Sequence, residues 1–141
     1  MDWYYPVLTG VLTGERARAR LASKWDEFVM DGRGVRCVNN EPWVTAAETA
    51  ECSLAHTAAG LTDTAVDLLA WTRAHRDVDG SYWTGIVYPQ RVNFPAHERT
   101  AYTTAAVILA ADAISQTSAA CALFTGDLLP TMTDIVDDLD G

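Results

Sequence analysis

The sequence predicts an all-α domain made of paired helices joined by long aromatic loops. Three observations lead there. Apolar residues recur at helical spacing through most of the chain. Segments with a charged face alternate with segments that have none. The run Asp79-Gly80-Ser81-Tyr82-Trp83-Thr84-Gly85 lies between two helix-like stretches, and Asp-Gly followed by aromatics suits a sharp helix exit anchored by ring packing.

The elements follow in order. A short buried helix is expected over residues 3–12. Over residues 15–30, Ala17, Leu21, Trp25, Phe28 and Val29 share one face while Arg16, Arg20, Lys24 and Glu27 share the other, so the pattern predicts an amphipathic outer helix. Residues 42–59 hold no Lys or Arg, and Glu48 and Glu51 are their only charges; a helix without a charged face is one surrounded by other helices. Thr62 or Asp63 can cap a helix reaching about His75. Residues 98–116 are small or apolar nearly all round, with Asp112 the exception after Arg99, which predicts another buried helix. A last, exposed one follows Ser118. The loops at 31–41 and 78–95 are long, and long aromatic loops more often line a site than merely connect elements. Segments 34–38 and 82–88 suit short strands within them.

Each buried helix starts near a proline and an aromatic: Trp3-Tyr4-Tyr5-Pro6, Pro42-Trp43, and Phe94-Pro95 with Tyr102 further on. Proline fits a first helical turn, where its missing N–H costs nothing.

Composition narrows the function classes. The chain has 141 residues, 49% of them hydrophobic, and a formal charge of −9. That is one domain's worth of chain, long enough to bury a core. All cations lie at or before Arg99, and only acids follow. An acidic surface without a basic stripe argues against nucleic acid and anionic membranes as partners. Cys37, Cys52 and Cys121 are widely spaced and form no Cys-x-x-Cys pair, which favours reduced thiols and a cytoplasmic location. The N-terminus has no signal-peptide pattern. Residues 100–126, although poor in charge, are rich in Thr, Ser and Ala, so no membrane span is expected.

The chain resembles the α/α-toroid proteins, which comprise terpenoid cyclases with protein prenyltransferases and the six-hairpin glycosidases. Asp79-Gly80-Ser81-Tyr82-Trp83 is similar to the QW repeat of the cyclases, with Arg76 in place of its Gln and an extra Tyr82 before Trp83. Three starts resemble the C-terminal half of actinobacterial prenyltransferase-like proteins: Asp2-Trp3-Tyr4-Tyr5-Pro6, Pro42-Trp43-Val44-Thr45-Ala46-Ala47-Glu48-Thr49, and Glu98-Arg99-Thr100-Ala101-Tyr102-Thr103. The resemblance spans most of residues 2–115. It implies a partial toroid, because six hairpins need roughly 300 residues and this chain supplies about three. Residues 1–130 would form that half-toroid and 131–141 an acidic tail. The ring would close by homodimerisation or against a missing N-terminal half.

If the inner helices point the same way, their starts converge on one mouth. Glu48, Glu98 and Asp2 are the candidate catalytic acids there, since glycoside hydrolysis needs paired carboxylates. Trp3, Tyr4, Tyr5, Trp43, Glu51, Tyr82, Trp83, Tyr88, Arg99 and Tyr102 are the candidate ligand-binding set. Its rings can stack on a sugar or face an isoprenoid carbocation. The competing structural reading has Asp2 and Glu98 complementing helix dipoles and Glu48 paired with Arg99. The carboxylate motifs of terpenoid chemistry, DxDD and DDxxD, do not occur; the nearest run is Asp137-Asp138-Leu139-Asp140 in the tail. His56, His75 and His97 lack zinc-ligand spacing, so neither a metal nor another cofactor is expected.

The leading expectation is a prenyltransferase-like toroid protein binding an isoprenoid or glycolipid-type ligand. The alternatives are a six-hairpin carbohydrate-active enzyme using Glu48 with Glu98 or Asp2, and a non-catalytic remnant or interaction subunit.

Overall fold

A computed structural model describes residues 2–125. The 131–141 tail, with its Asp137-Asp138-Leu139-Asp140 run, lies outside the described residues. Six α-helices occur among them: α1 (Tyr5–Leu8), α2 (Gly14–Ala22), α3 (Trp25–Phe28), α4 (Ala46–Ala58), α5 (Thr62–Trp71) and α6 (Ala101–Ser115). Two 3-10 turns, Thr72–His75 and Ala119–Phe124, follow α5 and α6. Five short strands accompany them: β1 (Val29–Met30), β2 (Gly34–Arg36), β3 (Trp43–Thr45), β4 (Gly85–Val87) and β5 (Val92–Phe94).

The strands form one antiparallel sheet in the order β1-β2-β3-β4-β5. This sheet overturns the all-α expectation and, with it, the partial α/α toroid. The strands at 34–38 and 82–88 were anticipated, but as loop decoration. Their partners were not: β3 opens a segment read as helix from Pro42 onward, β1 ends a segment read as helix to Met30, and β5 was unforeseen. Trp43-Val44-Thr45 consists of aromatic and β-branched residues, which fit a pleated surface. Val44 pairs with Ile86 across more than forty residues of chain, and these two pack with Tyr88 and half-buried Met30 in a small sheet-side cluster.

The remaining helix boundaries shift for local reasons. The 15–30 segment breaks at Ser23 and Lys24 into α2 and α3. Leu61 is the N-cap of α5 without a side-chain cap bond, where Thr62 or Asp63 was expected. Pro6 alone sits in a first helical turn; Pro42 precedes a strand, and Pro95 stands six residues ahead of α6.

Helix α4 is central. Ala46, Ala47 and all of residues 49–56 are buried, as its lack of a charged face requires. One core gathers Tyr4, Val7, Ala17, Leu21, Val29, Val35, Cys52, Ala55 and Leu68. A second joins Ala47, Ala50 and Leu54 of α4 to Ala106, Val107, Ala110 and Ala113 of α6. The small side chains let those two helices approach closely. Helix α6 departs from the expected all-round burial: Ala101, Tyr102, Ala105, Ile108 and Ala111 are exposed.

Gly34 fixes how closely β2 meets α4. Its φ is +131°, and a Cβ there would stand 2.5 Å from Thr49 Oγ1 and 2.7 Å from Val44 Cγ1. The next residue, Val35, donates its N–H to the same Thr49 hydroxyl at 2.9 Å. No side chain larger than hydrogen fits that approach.

The Asp79-Gly80 turn is structural. Gly80 has a positive φ, 90°, which glycine adopts without steric cost. Gly80 N–H donates to Asp77 O, Asp77 N–H donates to Ser81 O, and Asp79 accepts from both the backbone and the hydroxyl of Ser81. Arg99 donates to Asp77, Asp79 and Ser81, and its guanidinium lies 4.9 Å from the centre of the Trp83 ring. The Glu48–Arg99 pair of the structural reading is therefore replaced by these partners.

Candidate functional site

The first turns of α1 and α6 meet the second turn of α4 at a single carboxylate, Glu51. Tyr4 donates its hydroxyl to Glu51 Oε2 at 2.9 Å and Tyr5 donates to the same oxygen at 3.2 Å. Tyr102 donates to Oε1. A carboxylate has acceptor sites enough for three donors, and charge-assisted bonds of this kind are the strong ones. Glu51 is only 8% exposed, so these phenols take the place of water around it.

The tyrosines feel the arrangement in turn. Burial first, then the adjacent Glu51 charge, raises the Tyr4 hydroxyl far above the usual phenol range. The same causes raise Tyr5 and Tyr102. All three stay protonated and stay donors.

Glu48 lies one turn before Glu51. Thr45, the last residue of β3, donates its hydroxyl to Glu48 Oε2. The strand thus positions this acid at the point where β3 becomes α4. The negative charge of Glu48 adds to the raising of Tyr4 and Tyr5, behind burial and Glu51, and of Cys37, behind burial. Glu48 is half-buried, unlike the enclosed Glu51.

Cys37 also lines a cavity of about 500 Å³ shared by Asp2, Trp3, Arg20, Lys24, Asn39 and Asn40. Volumes of this order suit small-molecule ligands. The walls carry both charges and amides. Lys24 and Asn39 both donate to Glu27, at 2.6 and 2.7 Å. Asn39, Asn40, Lys24 and Glu27 were not singled out in the sequence as site residues; the length of the 31–41 loop was the available signal.

The structure brings Tyr4, Tyr5, Glu51 and Tyr102 together directly. Glu98 approaches the same helix end through the backbone: Ala46 N–H donates to Thr84 O at 3.1 Å, and Thr84 N–H donates to Glu98 O at 3.1 Å. The Glu98 side chain is exposed. Asp2 is exposed on the cavity rim, and its carbonyl accepts from Arg20.

Other candidates sit elsewhere. Trp3 is 3% exposed and stacks on Phe28, so its ring face is already used. Trp43 packs against Phe94 with centroids 4.8 Å apart. Tyr82 leans on the α4–α6 core. Trp83 and Arg99 belong to the 77–81 turn, and Tyr88 is buried beneath the Arg33 guanidinium. Among the described residues no three His, Cys, Asp or Glu side chains gather in a metal-holding group. No helix among them is long and apolar enough to cross a membrane.

A protein of Mycolicibacterium hassiacum named MMP endo-(1,4)-3-O-methyl-alpha-D-mannosidase is 51% identical to this chain over 130 residues. The match takes in 92% of the chain but 36% of that relative, so the chain spans little more than a third of its length. No protein-family profile matches the chain. A mannosidase relative, together with the antiparallel sheet, overturns the likeness to prenyltransferases, terpenoid cyclases and six-hairpin toroids alike. The carbohydrate alternative is the one that this relative favours.

Proposed function

We propose that this chain supplies part of the sugar site of a glycosidase acting on (1,4)-linked 3-O-methyl-α-mannosides. The observation behind this reading is the 51% identity to a protein with that name. The chemistry around the start of α4 agrees with it. Glycoside hydrolysis uses two carboxyl groups, one protonating the leaving oxygen while the other activates water or attacks the anomeric carbon. Glu51 is engaged by three phenols and is poorly placed to change partners. Its role is to hold Tyr4, Tyr5 and Tyr102 in a fixed ring. Glu48 is the acid that meets substrate, oriented by Thr45, with Glu98 or Asp2 as the second carboxyl. Tyr5 and Tyr102 offer ring surface to the C–H faces of a sugar, while Asn39 and Asn40 offer amides to its hydroxyls.

The test is hydrolysis of a (1,4)-linked 3-O-methyl-α-mannose oligosaccharide, followed by separation of products. Glu48→Gln should lose at least about 100-fold in rate, the usual scale for removing a catalytic acid or base, with the circular dichroism of the wild type. Equal rates for the two proteins would remove Glu48 from the mechanism.

A further inference from the structure

A second pocket lies where α2 and α3 pack over the end of α4 and the start of α5. Its volume is about 250 Å³, and it is lined by Arg18, Leu21, Trp25, His56, Leu61 and Thr64. None of these residues belongs to the Glu48–Glu51 cluster or to the cavity beside Asp2 and Cys37.

His56 gives the pocket its chemistry. The residue is 2% exposed. Its Nδ1 lies 2.8 Å from the Cys52 carbonyl, and a carbonyl can only accept, so Nδ1 carries the hydrogen. Burial holds the ring below the ordinary histidine range and keeps it neutral. The second nitrogen, Nε2, is then a lone-pair acceptor that is open to a donor in the pocket, since the ring's bonds to Cys52 are those of Nδ1.

The other walls restrict that donor. Trp25 meets His56 edge to face, with centroids 5.5 Å apart, and presents a large apolar surface beside it. Arg18 is held by Nε, which donates to Ala59 O at 3.1 Å, and by Nη1, which donates to Glu15 Oε1 at 3.4 Å. Its Nη2 lies so close to Gly60 that a Cβ there would be 3.4 Å away. Thr64 adds a hydroxyl, and Leu21 and Leu61 add aliphatic surface. One acceptor, the Nη2 donor of a held guanidinium, a hydroxyl and an aromatic wall are what a single hydroxylated ring requires. The ring's C–H face covers the indole, one hydroxyl donates to His56, and neighbouring oxygens accept from Arg18.

We infer that the Trp25–His56–Arg18 pocket binds one neutral pyranose unit, as an accessory sugar site apart from the Glu48 centre. The choice of a mannose-type ring rests on the glycosidase reading above; the pocket and its preference for a neutral polyol do not.

Nuclear magnetic resonance of the full chain, titrated with 3-O-methyl-D-mannose, tests this. Trp25 indole and His56 ring signals should move saturably in the wild type and equally in Glu48→Gln. The response should vanish in Trp25→Ala and also in Thr64→Phe, which fills the pocket from its rim while leaving Trp25 and His56 in place. Silence at Trp25 and His56 up to about 50 mM sugar, a concentration at which even a millimolar site saturates, would overturn the inference. So would shifts that persist in Thr64→Phe. Saturable Trp25 shifts together with oligosaccharide hydrolysis that Glu48→Gln leaves unchanged would sustain this site and refute the Glu48 centre. Hydrolysis lost in Glu48→Gln, with a silent Trp25, would do the reverse.

Discussion

Replacing Tyr4 by Phe deletes one oxygen from the centre of the molecule and changes little else. Tyr4 is fully buried, and its ring packs edge-on against both Trp3 and Tyr5, contacts that Phe preserves. What disappears is the 2.9 Å bond to Glu51 Oε2. Tyr5 still reaches that oxygen at 3.2 Å and Tyr102 still holds the other. The carboxylate is therefore weakened but not abandoned. A hydrogen bond to a charged group contributes about 1.5–3 kcal/mol, so Tyr4→Phe should cost about 2 kcal/mol. With a urea dependence of about 2 kcal/mol per molar for a domain of this size, the unfolding midpoint falls by roughly 1 M. Equilibrium urea unfolding followed by tryptophan fluorescence reads it. Combining Tyr4→Phe with Glu51→Gln should cost clearly less than the two single changes added together, because both remove the same bond. A loss for Tyr4→Phe below about 0.5 kcal/mol, the level of an ordinary surface change, would show that Glu51 does not depend on its phenols.

The remaining expectations concern pH and packing. Tyr4, Tyr5 and Tyr102 have raised pKa values in the fold, so their contribution is complete below the ordinary phenol value of 10.0 and is lost as pH climbs above it. Unfolding midpoints should drop on that alkaline side, and less steeply in Tyr4→Phe. His75 behaves oppositely: it is fully buried, both ring nitrogens lack partners among the described residues, and burial depresses it from 6.5 to about 4. Stability should therefore fall by about 3 kcal/mol as pH drops from about 6.5 to about 4. His75→Leu should flatten that acid limb, and an unchanged limb would exclude His75 as its source. Gly34→Ala should destabilise by about 2–4 kcal/mol, since its Cβ collides with Thr49 and its backbone is left-handed; a neutral effect in urea unfolding would contradict the β2–α4 contact.

The helices were legible where periodicity runs long. Residues 46–58 and 101–115 each offer three or more turns of pattern; the absence of Lys and Arg matches the burial of the first, whereas the second keeps an exposed face at Ala101, Tyr102, Ala105, Ile108 and Ala111. Strands of two or three residues hold too little alternation to be read, and Trp43–Thr45 abuts Ala46 with no breaker between them. A strand running directly into a helix is invisible to a window that spans both. With Trp43–Thr45 inside a helical pattern, β2 and β4 have no visible partner in the sequence and look like isolated loop strands. The site fared differently. Tyr4, Tyr5, Glu51 and Tyr102 could be picked as chemistry-bearing residues, but nothing in their spacing says that three phenols share one carboxylate, because contacts 46 to 51 residues apart are set by packing. Glu98 and Arg99 were read as neighbours of Glu48. Arg99 instead serves the 77–81 turn, a role that the Asp77 and Asp79 spacing makes intelligible only after β4 is placed.

The most direct test maps a bound sugar chain onto the start of α4. Titrating a (1,4)-linked 3-O-methyl-α-mannose oligosaccharide into Glu48→Gln, with its cleavage blocked, should shift the resonances of Tyr5, Tyr102, Cys37 and Asn39 together along one saturation curve. An oligosaccharide that leaves all four unmoved would contradict the placement of the sugar site at Glu48.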